Sequence, residues 1–87
     1  MISIELFSRQ DCSLCEEARE VLLSVREQLP FELTETYLEP GSETEERYHA
    51  EIPVVHVNGL FFARHSVSEE ALLAYLRTIT SSDETTV

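Results

Sequence analysis

Ser3-Ile4-Glu5-Leu6-Phe7-Ser8-Arg9-Gln10-Asp11-Cys12-Ser13-Leu14-Cys15-Glu16-Glu17-Ala18 carries the chain from a strand into a helix, and two thiols stand at the join. Ile2, Ile4 and Leu6 alternate with Ser3 and Glu5, which predicts a strand buried on one face over Ile2 to Phe7, followed by a loop from Ser8 to Asp11. From Leu14 the apolar residues Ala18, Val21, Leu22, Val25 and Leu29 recur at helical spacing until Pro30 stops them. Cys12 and Cys15 therefore fall at a helix N-terminus. Unpaired backbone N–H groups and the positive end of the peptide dipoles favour a thiolate there over a thiol.

With Cys12 at the N-cap, the N–H groups of Leu14 and Cys15 are expected to point at its sulfur, as they would at a capping oxygen. Cys12 is then the attacking thiolate. Cys15, inside the first turn and less exposed, is placed to resolve a mixed disulfide. Arg9 favours the thiolate, whereas Asp11, Glu16 and Glu17 oppose it. Solvent screens such charges, so the pKa is expected to fall below ~8.5, but by less than a helix terminus alone would give. Glu16 is read first as a favourable first-turn carboxylate, with proton relay to Cys15 as its alternative role.

Beyond Pro30, Phe31, Leu33 and Tyr37 predict a second strand, and Glu35 interrupts its apolar set, so it is read as an edge. Pro40-Gly41 marks a turn, and Ser42 with Glu45 forms a capping box for a short helix to Tyr48 or His49, whose acidic run is its solvated face. Val54 to Val57 and Leu60 to Ala63 flank Asn58-Gly59, a hairpin signal, because both turn residues tolerate the positive φ angles of a type I′ turn. A final helix, capped near Ser66 or Ser68, presents Val67, Ala71, Leu72, Tyr75, Leu76 and Ile79 to a core. Thr80 to Val87 is polar and expected to fray.

Eighty-seven residues, 43% hydrophobic, with two glycines and three prolines, describe one small domain. Such a domain buries roughly 60% of its unfolded surface and often leans on disulfides or metals. Only two cysteines are present, and they stand too close in sequence to staple a fold, so they are read as chemical. No apolar run approaches the length of a membrane helix, and Met1 to Phe7 carries Glu5 without a basic start, which argues against a signal peptide. A cytoplasmic location follows as the expectation, and a reducing cytosol makes a redox or metal role for a CxxC more common than a structural one. Seventeen acidic residues face six arginines and no lysine, a net charge of −11, which excludes nucleic acid as an expected partner.

Ile52-Pro53 stands directly before a buried strand, and a cis bond is expected there. In that geometry the Ile52 backbone is free to pair with an extended substrate beside Cys12. His49, His56 and His65 raise the possibility of a zinc site with Cys12 and Cys15, but their spacing fits no finger pattern. His56 alternates with Val55 and Val57 and is read as a sheet residue. Leu60, Phe61, Phe62 and Tyr75 are read as core or edge packing.

These residues together resemble the glutaredoxin-like branch of the thioredoxin superfamily, most closely a group of short, mostly bacterial domains. The likeness rests on Leu6 to Arg9, Cys12 to Ala18, Arg47-Tyr48 ahead of Ile52-Pro53-Val54-Val55, Asn58-Gly59, and Ala71 to Leu76, and so spans nearly the whole chain. It implies a nucleophilic Cys12, a resolving Cys15 and a cis Pro53. Arg9 matches the basic residue that glutathione-using members carry three positions before the nucleophile. Their Gly-Gly pair after the last strand is absent, Ala63-Arg64 standing there instead, so glutathione is expected to bind poorly.

The expected fold is α/β, a minimal thioredoxin fold of order β-α-β-α-β-β-α, with a mixed four-stranded sheet and helices on both faces. Residues 1–79 are expected to form the domain and 80–87 the tail. The expected activity is thiol-disulfide exchange through Cys12 and Cys15, with Ile52, Pro53 and Arg9 contacting a protein or small-molecule disulfide. A monomer with no cofactor, metal or membrane partner is expected. The alternatives are a metal or iron-sulfur module, which would need further ligands, and a redox-silent interaction domain.

Overall fold

The computed structural model describes residues 2–39, 41, 43 and 51–85, the last five as backbone. A βαβ unit and a hairpin followed by a helix build its described part: β1 (Ser3–Ser8), α1 (Ser13–Gln28), β2 (Glu32–Tyr37), β3 (Val54–Val57), β4 (Leu60–Arg64) and α2 (Glu69–Thr85). The strands form one sheet in the order β2-β1-β3-β4. β2 runs parallel to β1, β3 antiparallel to β1, and β4 antiparallel to β3. β2 is the edge that the sequence predicts. The sheet is mixed because α1 carries the chain back over one face to start β2 in the same direction, whereas a two-residue turn joins β3 to β4.

Asn58 and Gly59 make that turn with φ of 51° and 82°. Asn58 also reaches back to β1. Its Oδ1 accepts the Ser3 N–H at 2.9 Å and its own N–H donates to the Ser3 carbonyl at 2.7 Å, which fixes the hairpin against the start of the central strand. α1 ends where Pro30 requires, the Leu29 N–H closing the last turn onto the Val25 carbonyl.

The alternation read in β1 and β3 has its counterpart in the core. Ile4 and Leu6 of β1 with Val55 and Val57 of β3 face Ala18, Leu22 and Val25 of α1 and Leu72 and Leu76 of α2, all buried. Both helices thus lie on one face of the sheet and pack against each other. The helix expected over Ser42 to Tyr48 or His49 lies outside the described residues, Glu43 excepted, and with it the test of helices on both faces. Ser68 is the N-terminal cap of α2, its Oγ accepting the Ala71 N–H at 3.2 Å. Phe62 stacks on Tyr75, while Leu60 and Phe61 remain exposed.

At the C-terminus α2, whose core-facing stripe was read as far as Ile79, runs on through Thr85. The Thr78 and Thr80 hydroxyls donate to the Ala74 and Leu76 carbonyls at 3.0 and 2.8 Å, so these polar residues satisfy themselves on the helix instead of competing with it. No helix of the described residues is long and apolar enough to cross a membrane.

Candidate active site

β1 and α1 meet at the cysteines. Asp11, with φ of 56°, turns the chain after β1, and Cys12 takes the N-cap in extended backbone conformation. The Cys15 N–H donates to Cys12 Sγ at 3.3 Å, and the Glu16 N–H donates to the Cys12 carbonyl at 3.1 Å. The Leu14 N–H, expected to share the sulfur, makes no such bond. Cys12 is half-buried and Cys15 is 1% exposed, and both thiols are free. The cap geometry puts the first cysteine where solvent reaches it and the second behind it, one turn into the helix.

Burial pushes the Cys15 thiol up to about 11, and its hydrogen bond with the Cys12 side chain and the charge of that neighbour push the same way. The Arg9 main-chain N–H and the Arg9 charge oppose them. Cys15 is therefore held as a thiol while Cys12 is free. Arg9 acts on Cys15 through its backbone as well as its guanidinium, a contribution the sequence reading did not include.

The Ile52–Pro53 peptide bond is cis, as expected. Ile52 packs with Cys15 and Leu38 in a small buried cluster that Phe7 and Cys12 complete. The cis turn is tied to the end of β4 by His65, whose N–H is shared between the Pro53 carbonyl at 2.8 Å and the Glu51 carbonyl at 3.1 Å. The Ile52 main chain makes no hydrogen bond to another described residue.

A cleft of about 320 Å³ opens at Cys12 between Arg9, Asp11, Glu16, Arg19 and Tyr37. Arg9 lines it as expected. Arg19 and Tyr37 were missed. Arg19 Nε donates to Glu35 Oε1 at 2.8 Å and its Nη2 to Glu35 Oε2, a forked pair, and Nη2 also donates to Tyr37 Oη at 3.0 Å. Ser8, fully buried at the end of β1, donates its hydroxyl to Glu35 Oε2 at 2.8 Å. The Arg19 guanidinium thus holds the Glu35 carboxyl below the usual range; burial opposes this and the Ser8 hydroxyl adds to it. The signal was available in β2. Leu33, Glu35 and Tyr37 share one face, so the carboxylate that breaks the apolar set points toward α1 and needs a partner there.

Arg64, which stands where the Gly-Gly pair of glutathione-using members would be, is paired with the residue before Ile52: its Nη1 meets Glu51 Oε1 at 2.9 Å in a largely exposed pair. His56 lies on the sheet face away from α1 and α2, its ring edge-on to Phe7 at 5.1 Å and Phe61 at 6.3 Å. Among the described residues no three His, Cys, Asp or Glu side chains are gathered to hold a metal ion, and His49 lies outside them.

Solved structures share this architecture. Protein XcR50 from X. campestris matches with a TM-score of 0.65 at 22% identity, over 86% of this chain and 96% of that one. Thioredoxin-2, described as a component of the malaria parasite protein secretion machinery, matches with a TM-score of 0.68 at 16% identity, over 90% and 82%. Thioredoxin 1 from Thermosipho africanus matches with a TM-score of 0.67 at 11% identity, over 94% and 98%. At these identities the likeness is one of fold, a thioredoxin fold. The model of the family described as Glutaredoxin-like domain (DUF836) matches residues 3–77, strand β1 through most of α2, and the chain belongs to that family.

Proposed function

We propose that this protein is a thiol-disulfide oxidoreductase in which Cys12 attacks and Cys15 resolves. The observation that carries the reading is the asymmetry of the pair: Cys12 is half-exposed at the N-cap and receives the Cys15 N–H, while the Cys15 thiol is buried and pushed up to about 11. Exchange needs such a difference. A thiolate with solvent access begins the reaction, and a second thiol must stay inert until a mixed disulfide exists.

In the first step the Cys12 thiolate forms a bond to one sulfur of the substrate disulfide, the substrate S–S bond breaks, and the departing thiolate takes a proton from solvent. Cys12 is then neutral and no longer hydrogen-bonds or repels as a thiolate, so two of the influences that keep Cys15 protonated disappear. Cys15 loses its proton, with the Arg9 N–H steadying the sulfur, and attacks Cys12 Sγ. The Cys12–Cys15 disulfide forms, the second substrate thiol leaves, and the substrate has gained two electrons and two protons. A dithiol, or two monothiol equivalents, restores the reduced protein. Ile52, beside the cysteines and before the cis Pro53, supports pairing of its main chain with an extended substrate.

Glutathione is proposed as a poor ligand, because the chain lacks the paired glycines and carries a net charge of −11. The reading further places the protein in the cytoplasm as a monomer without a cofactor. Partial alkylation with iodoacetamide near neutral pH, read by mass spectrometry, is expected to label Cys12 before Cys15, and Cys15→Ser is expected to accumulate a mixed disulfide through Cys12. Equal labelling together with no trapped adduct would overturn the assignment.

A further inference from the structure

Arg19 has more hydrogen-bonding capacity than the fold uses. A guanidinium carries five N–H donors. Nε and Nη2 are engaged with Glu35 and Tyr37, while Nη1, with two N–H groups, makes no hydrogen bond to a described residue. The side chain is 31% exposed, on the wall of the cleft that holds Cys12. Glu35 grips the other edge of the fork and is itself anchored by the buried Ser8 hydroxyl. The guanidinium is therefore oriented before any substrate arrives, and little further side-chain order is lost on binding.

The charges around it decide what it suits. In the cleft lining Arg9 and Arg19 stand against Asp11 and Glu16, and Glu35 offsets the Arg19 guanidinium as well, so the site has no net positive charge to make it a sink for an anion. It offers directional donors without a net positive charge, which fits a neutral acceptor such as a peptide carbonyl. Ile52, packed against the same cysteines, supplies a second unengaged main-chain contact. Both features match a polypeptide and neither matches a small anionic disulfide.

We propose that Arg19, held by Glu35, is a specificity-determining residue that hydrogen-bonds a main-chain carbonyl flanking the disulfide attacked by Cys12, so that disulfide-bonded polypeptides are the substrate class. This rests on the exchange reading above. Its test is single-turnover reduction by pre-reduced, desalted protein of two probes: the disulfide dimer of acetyl-Ala-Cys-Ala-amide, and 2-hydroxyethyl disulfide, which has no carbonyl. The wild type is expected to favour the peptide. Arg19→Met is expected to lower the ratio of the two second-order rate constants about tenfold, equivalent to about 1.4 kcal/mol, and Arg19→Lys to leave it low, since an ammonium keeps the charge without the fork. The double variant Arg19→Met/Glu35→Met leaves no orphaned charge to unfold the protein and is expected to show the same loss. An unchanged ratio in these variants, including both rates falling in proportion as for a merely structural residue, would overturn the proposal. Reduction of neither probe by the wild type would overturn the exchange reading itself.

Discussion

The helix-covered face of the sheet and its cysteine end are stabilised by opposite means. Under α1 and α2, Ile4, Leu6, Leu22, Leu72 and Leu76 are fully buried and need nothing but shape and the exclusion of water. At the end of β1 the same face turns polar, and there Ser8, Glu35, Arg19 and Tyr37 satisfy one another. No buried side-chain N or O atom among the described residues lacks a partner. The first region supplies stability without regard to direction. The second supplies direction at little net gain in stability, because paired charges lose hydration on burial. The cleft at Cys12 is lined by the second kind.

Leu22→Ala is expected to separate the two regions most strongly. It should cost about 2–5 kcal/mol in urea unfolding, the usual range for a fully buried leucine, while the folded fraction keeps its rate of disulfide exchange. An equal loss of exchange in the folded fraction would show that the core also shapes the site.

Glu35→Gln attacks the polar region and is expected to cost about 1–3 kcal/mol near neutral pH, because it weakens the fork and leaves Arg19 without its counter-charge. Its pH dependence has a definite sign. The folded-state pKa of Glu35 is lowered, so its contribution is present above the unfolded value of about 4.3 and is lost as pH falls through the folded value. The difference in unfolding free energy between wild type and Glu35→Gln should therefore shrink on acidification from pH 7 toward pH 3, and a difference that grows would contradict the pairing.

Arg64→Ala sharpens the contrast between two ion pairs of the same residue types. Arg64 meets Glu51 by a single contact with both side chains more exposed than in the Arg19–Glu35 fork. Its removal is expected to cost only about 0–1 kcal/mol, with any effect fading in added salt. Smallest in stability is Cys12→Ser. Serine caps a helix as well as a thiol does, so unfolding should shift by about 0.5 kcal/mol or less, yet single-turnover reduction of 2-hydroxyethyl disulfide should vanish.

Much of this architecture was legible in local sequence. Alternation in Ile2, Ile4 and Leu6 marked a one-faced strand, Pro30 marked the end of α1, and Asn58-Gly59 marked the hairpin, because periodicity and φ preferences act between residues a few positions apart. Cys12 at the N-cap was readable for the same reason, whereas the cis bond before Pro53 was expected from its place before a buried strand together with the distant CxxC. The helical run beyond Ile79 was not legible, since Thr80 opens a polar stretch, and its hydroxyl is seen on the Leu76 carbonyl only in the fold.

What the sequence determined by itself was the order of the described elements and the position of the two thiols, both set by the chain's own backbone. Only the tertiary structure decided which further arginine lines the cleft beside Arg9. The parallel register of β1 with β2 sets Leu6 beside Glu35 and Ser8 beside Tyr37, and α1 crossing that face brings Arg19 onto the carboxylate. Arg64 is taken by Glu51, the residue before Ile52. A charged side chain is committed by the nearest partner that burial leaves it, and that partner is chosen by strand register and helix crossing, distances that no local pattern encodes.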